Sequence, residues 1–260
     1  MRKSVLFQLV LAVASAQVRI PGPGGHTPAS GGGGFSLISS NVVYGQSLFS
    51  PWAPWSASVA VNNAGAKIVV MAISYNTKAG VSMGMTSSLG NTCTPALPLQ
   101  TATTGANSGE TIGIYSCTAT HTGTDTITAS DSTDTLGSGV GIVALPYSDS
   151  GSPTVDQTNS NLIAGVNTTY GANPVDSGSI TPTANGEALV TVFNASSAST
   201  TVDSGMTILA RLGSNYGGTG VNTALSVAAL IQTTAGTISP FWSTDQIYKA
   251  PVAAVASFKP

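Results

Sequence analysis

Hydrophobic positions along this chain recur in short runs whose internal spacing is that of strands. In Asp125-Thr126-Ile127-Thr128-Ala129 polar and apolar residues alternate, the period of two that puts one face of a strand in water and the other in a core. Ile68-Val69-Val70-Met71-Ala72-Ile73 is apolar at every position, which suits a central strand covered on both faces. Runs of these two kinds predict strands over 56–61, 67–75, 111–118, 125–129, 139–147, 188–193, 206–212, 223–232 and 252–258, separated by clusters of Gly, Asn, Asp, Ser and Pro. No window shows sustained helical periodicity with caps, so the crossover helices of a parallel α/β sheet are missing. The pattern predicts an all-β fold: a two-sheet antiparallel β-sandwich, jelly-roll-like. No motif recurs at a fixed period, which argues against a solenoid or propeller.

The N-terminus follows a different rule. Arg2 and Lys3 precede an apolar run from Val5 to Ala14 broken by Gln8, and Ala14-Ser15-Ala16 supplies a small-residue cleavage site. That order is a secretory signal peptide over 1–16, and its apolar run is far short of the roughly 20 residues that span a bilayer. No later segment is apolar enough to insert in a membrane. Residues 17–34, with Pro21-Gly22-Pro23-Gly24-Gly25 and Gly31 to Gly34, read as a flexible linker. Residues 35–260 are then expected to form a single β-sandwich domain, secreted or displayed at a bacterial cell surface.

Charge narrows the partners. Only 7% of the 260 residues are charged and the formal net charge is −2, with no basic cluster. The electrostatic footprint of a nucleic-acid or anionic-membrane binder is missing. Ser, Thr, Asn and Gly must solvate the surface instead. Cys93 and Cys117 are the only two cysteines, and in an exported chain they are expected to pair. Metal ligation or a redox pair would call for C-x-x-C spacing or nearby His.

Four segments carry a family resemblance: "AKIVVMAISY" (66–75), "TSSLGNTCTP" (86–95), "IGIYSCTATHTGTDTIT" (112–128) and "VALPYSDSGSPTVDQ" (143–157). The stretch from Met206 to Lys259, ending in "SFKP", is similar too. With these the chain resembles secreted β-sandwich, jelly-roll-like domains of unknown function that recur in extracellular and surface proteins of soil and environmental bacteria. The resemblance implies a turn at Leu89-Gly90-Asn91 between two strands and places Cys93 and Cys117 as neighbours across a sheet. It implies no catalytic constellation.

Candidate chemistry is sparse. Gly80-Val81-Ser82-Met83-Gly84 matches G-x-S-x-G, but no helix follows it and only His121 lies downstream, so the setting of a nucleophile elbow is absent. His26 falls in the linker and His121 in a polar turn, too few for a histidine metal site. Two glutamates and eight aspartates remain, most of the aspartates beside Gly, Ser or Thr, where Asp stabilises turns. Asp131 and Asp134 in "SDSTD", with Asp149 and Asp156 in "YSDSGSPTVD", are candidate calcium ligands because hard cations take oxygen donors from such loops. Trp52 and Trp55, interleaved with Pro51 and Pro54, and Trp242 with Tyr248, are candidate rings for stacking on a sugar, against the alternative that they plug the core.

These features favour a non-enzymatic secreted or surface protein that adheres to a surface or matrix component or binds a glycan, with no catalytic residues and no required cofactor. Two other classes stay open: a secreted carbohydrate-active hydrolase using Asp or Glu, and a self-associating subunit of a filament, coat or virion. Two converging carboxylates in a cleft would mark the hydrolase.

Overall fold

The computed structural model describes residues 34–48, 55–76, 83–101, 110–131, 139–162, 175–194, 200–212, 225–244 and 251–260. Residues 1–33, which hold the expected signal peptide and all of the expected linker but Gly34, lie outside them. Two successive runs of strands build the chain. The first comprises β1 (Ser36–Leu37), β2 (Val43–Leu48), β3 (Trp55–Asn62), β4 (Ile68–Asn76), β5 (Gly84–Ser87), β6 (Thr92–Thr101), β7 (Glu110–Thr118), β8 (Thr124–Asp131) and β9 (Gly139–Ser148), with a 3₁₀ turn at Ser39–Asn41. The second comprises β10 (Thr154–Leu162), β11 (Val175–Asp176), β12 (Glu187–Asn194), β13 (Thr200–Val202), β14 (Thr207–Leu212), β15 (Leu225–Gln232), β16 (Phe241–Thr244) and β17 (Val252–Lys259). Each of the nine strands expected from the hydrophobic pattern is present, as β3, β4, β7, β8, β9, β12, β14, β15 and β17.

The two runs share one topology. In the first, β2 pairs with β9 and the ladder continues β9-β4-β7-β6, while β3-β8-β5 form a second sheet; β1 also pairs with β9. In the second, β10-β17-β12-β15-β14 form the larger sheet and β11-β16-β13 the smaller. Counting from β2 and from β10, strands one, eight, three, six and five make the large sheet in both, and two, seven and four the small one. The fold is therefore all-β and antiparallel as expected, and among the described residues its strands fall into four sheets. The repeat exists in strand order alone, with no repeated sequence motif to announce it.

Alternation along the central strands stacks the sheets. Ile68, Val70, Ala72, Ile114, Val143 and Leu145 on one large sheet share a buried cluster with Val190, Val192, Val227, Ala254 and Phe258 on the other. The intervening residues Val69, Met71, Ile73 and Ile142 point the opposite way, onto Val59, Val61, Ile127 and Ala129 of the first small sheet. Leu189, Phe193, Ala253 and Val255 likewise meet Val175 and Trp242 of the second. The layers run small, large, large, small. β4 and β17, apolar on both sides, are the strands this arrangement demands.

The edge strand β6 needs separate help. Pro95 and Pro98 cannot donate to a ladder, and the register with β7 shifts between Pro95 and Leu97 and again between Leu97 and Gln100. Cys93 and Cys117 stand directly opposite each other in that pair and are joined as a disulfide with Cα atoms 3.9 Å apart, so the bridge clamps the end of β6 where pairing is regular. The Ser88–Asn91 turn lies between β5 and β6, as the resemblance implied, with Gly90 at φ +77°.

Because the central core belongs to both runs, Ile114→Ala is expected to lower the unfolding free energy by about 3 kcal/mol, with a single denaturant transition for the whole molecule. Two separated transitions would refute coupling through the shared core. Replacing both cysteines by serine is expected to cost about 3 kcal/mol by releasing the loop constraint on the unfolded chain; an unchanged midpoint in denaturant would show that the clamp contributes nothing.

Candidate functional site

The first small sheet presents its outer face to solvent. Val59, Ile127 and Ala129 point inward, so the period of two sends Ser56, Ser58, Ala60 and Asn62 of β3 and Thr124, Thr126, Thr128 and Ser130 of β8 outward. Cross-strand register sets Ser56 beside Ser130, Ser58 beside Thr128 and Asn62 beside Thr124, and β5 adds Thr86 opposite Thr128. Ser58 and Thr128 hydrogen-bond through their hydroxyls at 2.8 Å. Ser88 continues the row beyond β5, its Oγ accepting from the Thr126 backbone at 2.8 Å. The array repeats at about 4.8 Å between strands and about 6.8 Å along them. None of these outward side chains is charged.

One acid lies beneath that face, turned inward. Asp125 is fully buried and accepts from Ser87 Oγ at 2.8 Å, Ser88 Oγ at 3.2 Å, Leu89 N at 3.3 Å and Asn91 Nδ2 at 2.8 Å. Burial alone would raise its pKa, but these donors outweigh it and hold the carboxyl below the usual range. Asn91 also accepts from the His121 backbone at 2.8 Å, and Asn63 accepts from Gly123 N at 2.7 Å. The knot ties the turns below the hydroxyl rows and fixes their spacing. His121 is an exposed turn residue.

A second polar centre closes the opposite flank. Asp156 of β10, Glu187 of β12 and Lys259 of β17 meet on three adjacent strands. Lys259 Nζ lies 3.4 Å from Asp156 Oδ1, and the Asp156 side chain is only 4% exposed. Thr183 donates to it twice at 2.8 Å, from its backbone N–H to Oδ2 and from its hydroxyl to Oδ1. Glu187 is fully buried; its Oε1 accepts from Ala184 N at 2.7 Å, while Oε2 has no well-formed partner. Burial, reinforced by the neighbouring Asp156 charge, pushes Glu187 up despite the Ala184 and Ser257 donors. Asp156 is held down: its desolvation is outweighed by Thr183, by Lys259 and by Glu187 itself. The two carboxyls are thus pushed apart, Glu187 toward its neutral form and Asp156 toward its charged one. A glycosidase needs its two carboxyls about 5 to 10 Å apart around a sugar; here the Glu187 carboxyl is fully buried and that of Asp156 nearly so.

The residues singled out from sequence scatter. Trp242 is fully buried, stacked on Phe193 with ring centroids 5.6 Å apart, its Nε1 donating to Thr191 Oγ1 at 2.9 Å. It offers no free face to a sugar, which corrects its assignment as a stacking ring: the inner side of the second small sheet needed a large plug. Trp55 opens β3 opposite Asp131 at the end of β8, and only that placement is described. Trp52, Tyr248 and Asp134 lie outside the described residues, as does most of the G-x-S-x-G segment. Asp149 Oδ2 accepts from Gly151 N at 3.0 Å, the bond of an Asx turn. Among the described residues no three His, Cys, Asp or Glu side chains gather as a metal would require. The alternation at 124–130 was visible in sequence, but not that its polar members would line up with those of β3 and β5.

No family model matches the chain, and no curated protein or solved structure matches it either.

Asp125→Ala strips an acceptor from four donors and is expected to cost about 3 kcal/mol at pH 7. A depressed carboxyl stabilises fully above its unfolded pKa of about 3.9 and loses that contribution as pH falls through its lower folded value. The stability gap between wild type and variant should therefore narrow below about pH 4. A gap constant down to pH 2 in thermal melts would show that ionisation of Asp125 plays no part.

Proposed function

We propose that this is an exported, non-enzymatic, tandem jelly-roll-like protein that adheres to a neutral polyhydroxylated surface, a glycan or matrix polysaccharide, through the outer face of its β3-β8-β5 sheet. The observation that carries the reading is the uncharged, regularly spaced array of Ser56, Ser58, Asn62, Thr86, Thr124, Thr126, Thr128 and Ser130 on a face anchored from below by Asp125. Hydroxyls that both donate and accept match a neutral sugar lattice, which presents the same groups in return. A polyanion would find no cation on this face. Such contacts are individually weak, so the strength of attachment has to come from many repeated along a rigid face. The disulfide and the apolar N-terminal segment support export to an oxidising compartment. Among the described residues no helix is long and apolar enough to cross a membrane.

The test is retention of the purified protein on insoluble neutral polysaccharides, compared with a variant carrying Ser58→Glu and Thr126→Glu. Both sites face solvent, so the variant should melt close to wild type while losing at least tenfold in bound fraction. Equal retention of wild type and variant would overturn the assignment to this face. Release of reducing sugar would instead favour the hydrolase class, and growth into filaments the structural one.

A further inference from the structure

The Asp156, Glu187 and Lys259 centre contains a salt bridge, Lys259 to Asp156, in a chain where only 7% of residues are charged. Its construction exceeds what an ion pair needs. β10 and β17 keep regular register from Gln157 opposite Ser257 through Leu162 opposite Val252, and again at Val155 and Thr154; Asp156 is the extra residue of a bulge between them. A bulge re-aims a side chain, and here it turns the carboxyl toward Lys259. Glu187 reaches the same point from the other neighbour of β17. An amine thus stands 3.4 Å from one carboxyl, and the buried Glu187 carboxyl interacts with that same Asp156, its Oε2 without a well-formed hydrogen bond.

We propose that Lys259 Nζ and Asp156 Cγ condense without external help into an intramolecular isopeptide bond, tying the first strand of the second run to its last. Lys259 passes a proton to the Asp156 carboxylate, leaving a neutral amine and a neutral acid. The Nζ lone pair attacks Cγ. Negative charge develops on Oδ2, where the Thr183 backbone N–H already donates, the placement an oxyanion requires. Oδ1, held by the Thr183 hydroxyl and nearest Nζ, departs as water. Glu187 relays the protons, giving its own to the leaving oxygen and recovering one from the attacking nitrogen. The sum is an ammonium and a carboxylate giving an amide and water; no oxidant, cofactor or activated donor enters. Desolvation of the Asp156 carboxyl works toward its neutral form, against the Thr183 and Lys259 contacts that hold the carboxylate, and holding both partners in one site replaces the activation that amide formation needs in solution. The inference does not rest on the adhesive reading, although a covalent tie between first and last strands suits a protein that must resist pulling.

Intact-mass spectrometry of the purified full chain tests this. After the disulfide and any N-terminal processing are counted, the mass should fall short by one water. Tandem spectra of a digest should show the peptide holding Asp156 joined to the C-terminal peptide holding Lys259. Lys259→Arg and Asp156→Ala should restore the full mass. Glu187→Gln, which keeps an acceptor for Ala184, should slow the loss of water by about a hundredfold while its circular dichroism stays that of a folded β protein. Full mass in the wild type after prolonged incubation at neutral pH would overturn the proposal. So would a missing water that persists in Lys259→Arg, since that result belongs to a succinimide at an aspartate.

Discussion

Burial of the two large sheets against each other is the constraint on which the rest of the molecule depends. A sheet covered on one side can alternate apolar and polar residues; these two are covered on both, so β4, β9, β12 and β17 must be apolar at nearly every position. The shared core of Ile114, Val143, Val190 and Phe258 belongs to neither run of strands alone. Each small sheet then caps an apolar face that would otherwise stand in water. Thr191, a polar residue admitted to these interfaces, is fully paired: it accepts from Trp242, donates to Ala254 O and meets Ser177 at 2.9 Å.

That layering decides where chemistry can sit. Interior space is taken by Val, Ile, Ala and a few rings, so acids survive inside where donors surround them, as around Asp125, or where donors and a cation are at hand, as around Asp156. Polar function is pushed onto the outer face of a small sheet, where strand register supplies spacing that no loop provides. The two centres differ in kind. One fixes turns and keeps a surface regular; the other brings three strands into chemical contact at the flank of the second run.

Much of the fold was legible because period and composition report burial directly. Asp125 to Ala129 alternates and lies half in water; Ile68 to Ile73 does not alternate and is enclosed. The strands that escaped notice were the polar or interrupted ones. β10, Thr154 to Leu162, carries Thr, Asp, Gln, Asn and Ser because it is an edge strand with little to bury, and β6 contains two prolines because one side of an edge needs no ladder. β1, β11, β13 and β16 are too short for any periodic signal. The candidate sites were less legible. Trp242 has the composition of a binding ring and the position of a plug, and only packing distinguishes the two.

By itself the sequence determined the fold class, the placement of the central strands and the pairing of its two cysteines, since each follows from local pattern or from a count that leaves one solution. It did not determine that the strand order is used twice, because topology lives in connections between strands and leaves no periodic trace in composition. Nor did it bring Asp156, Glu187 and Lys259 together. They are far apart along the chain and become neighbours only because β17 inserts between β10 and β12, with one bulged residue turning a carboxylate toward an amine. Long-range pairing and a local break in register are properties of the assembled sheet, and there the tertiary structure decided what three ordinary residues can do.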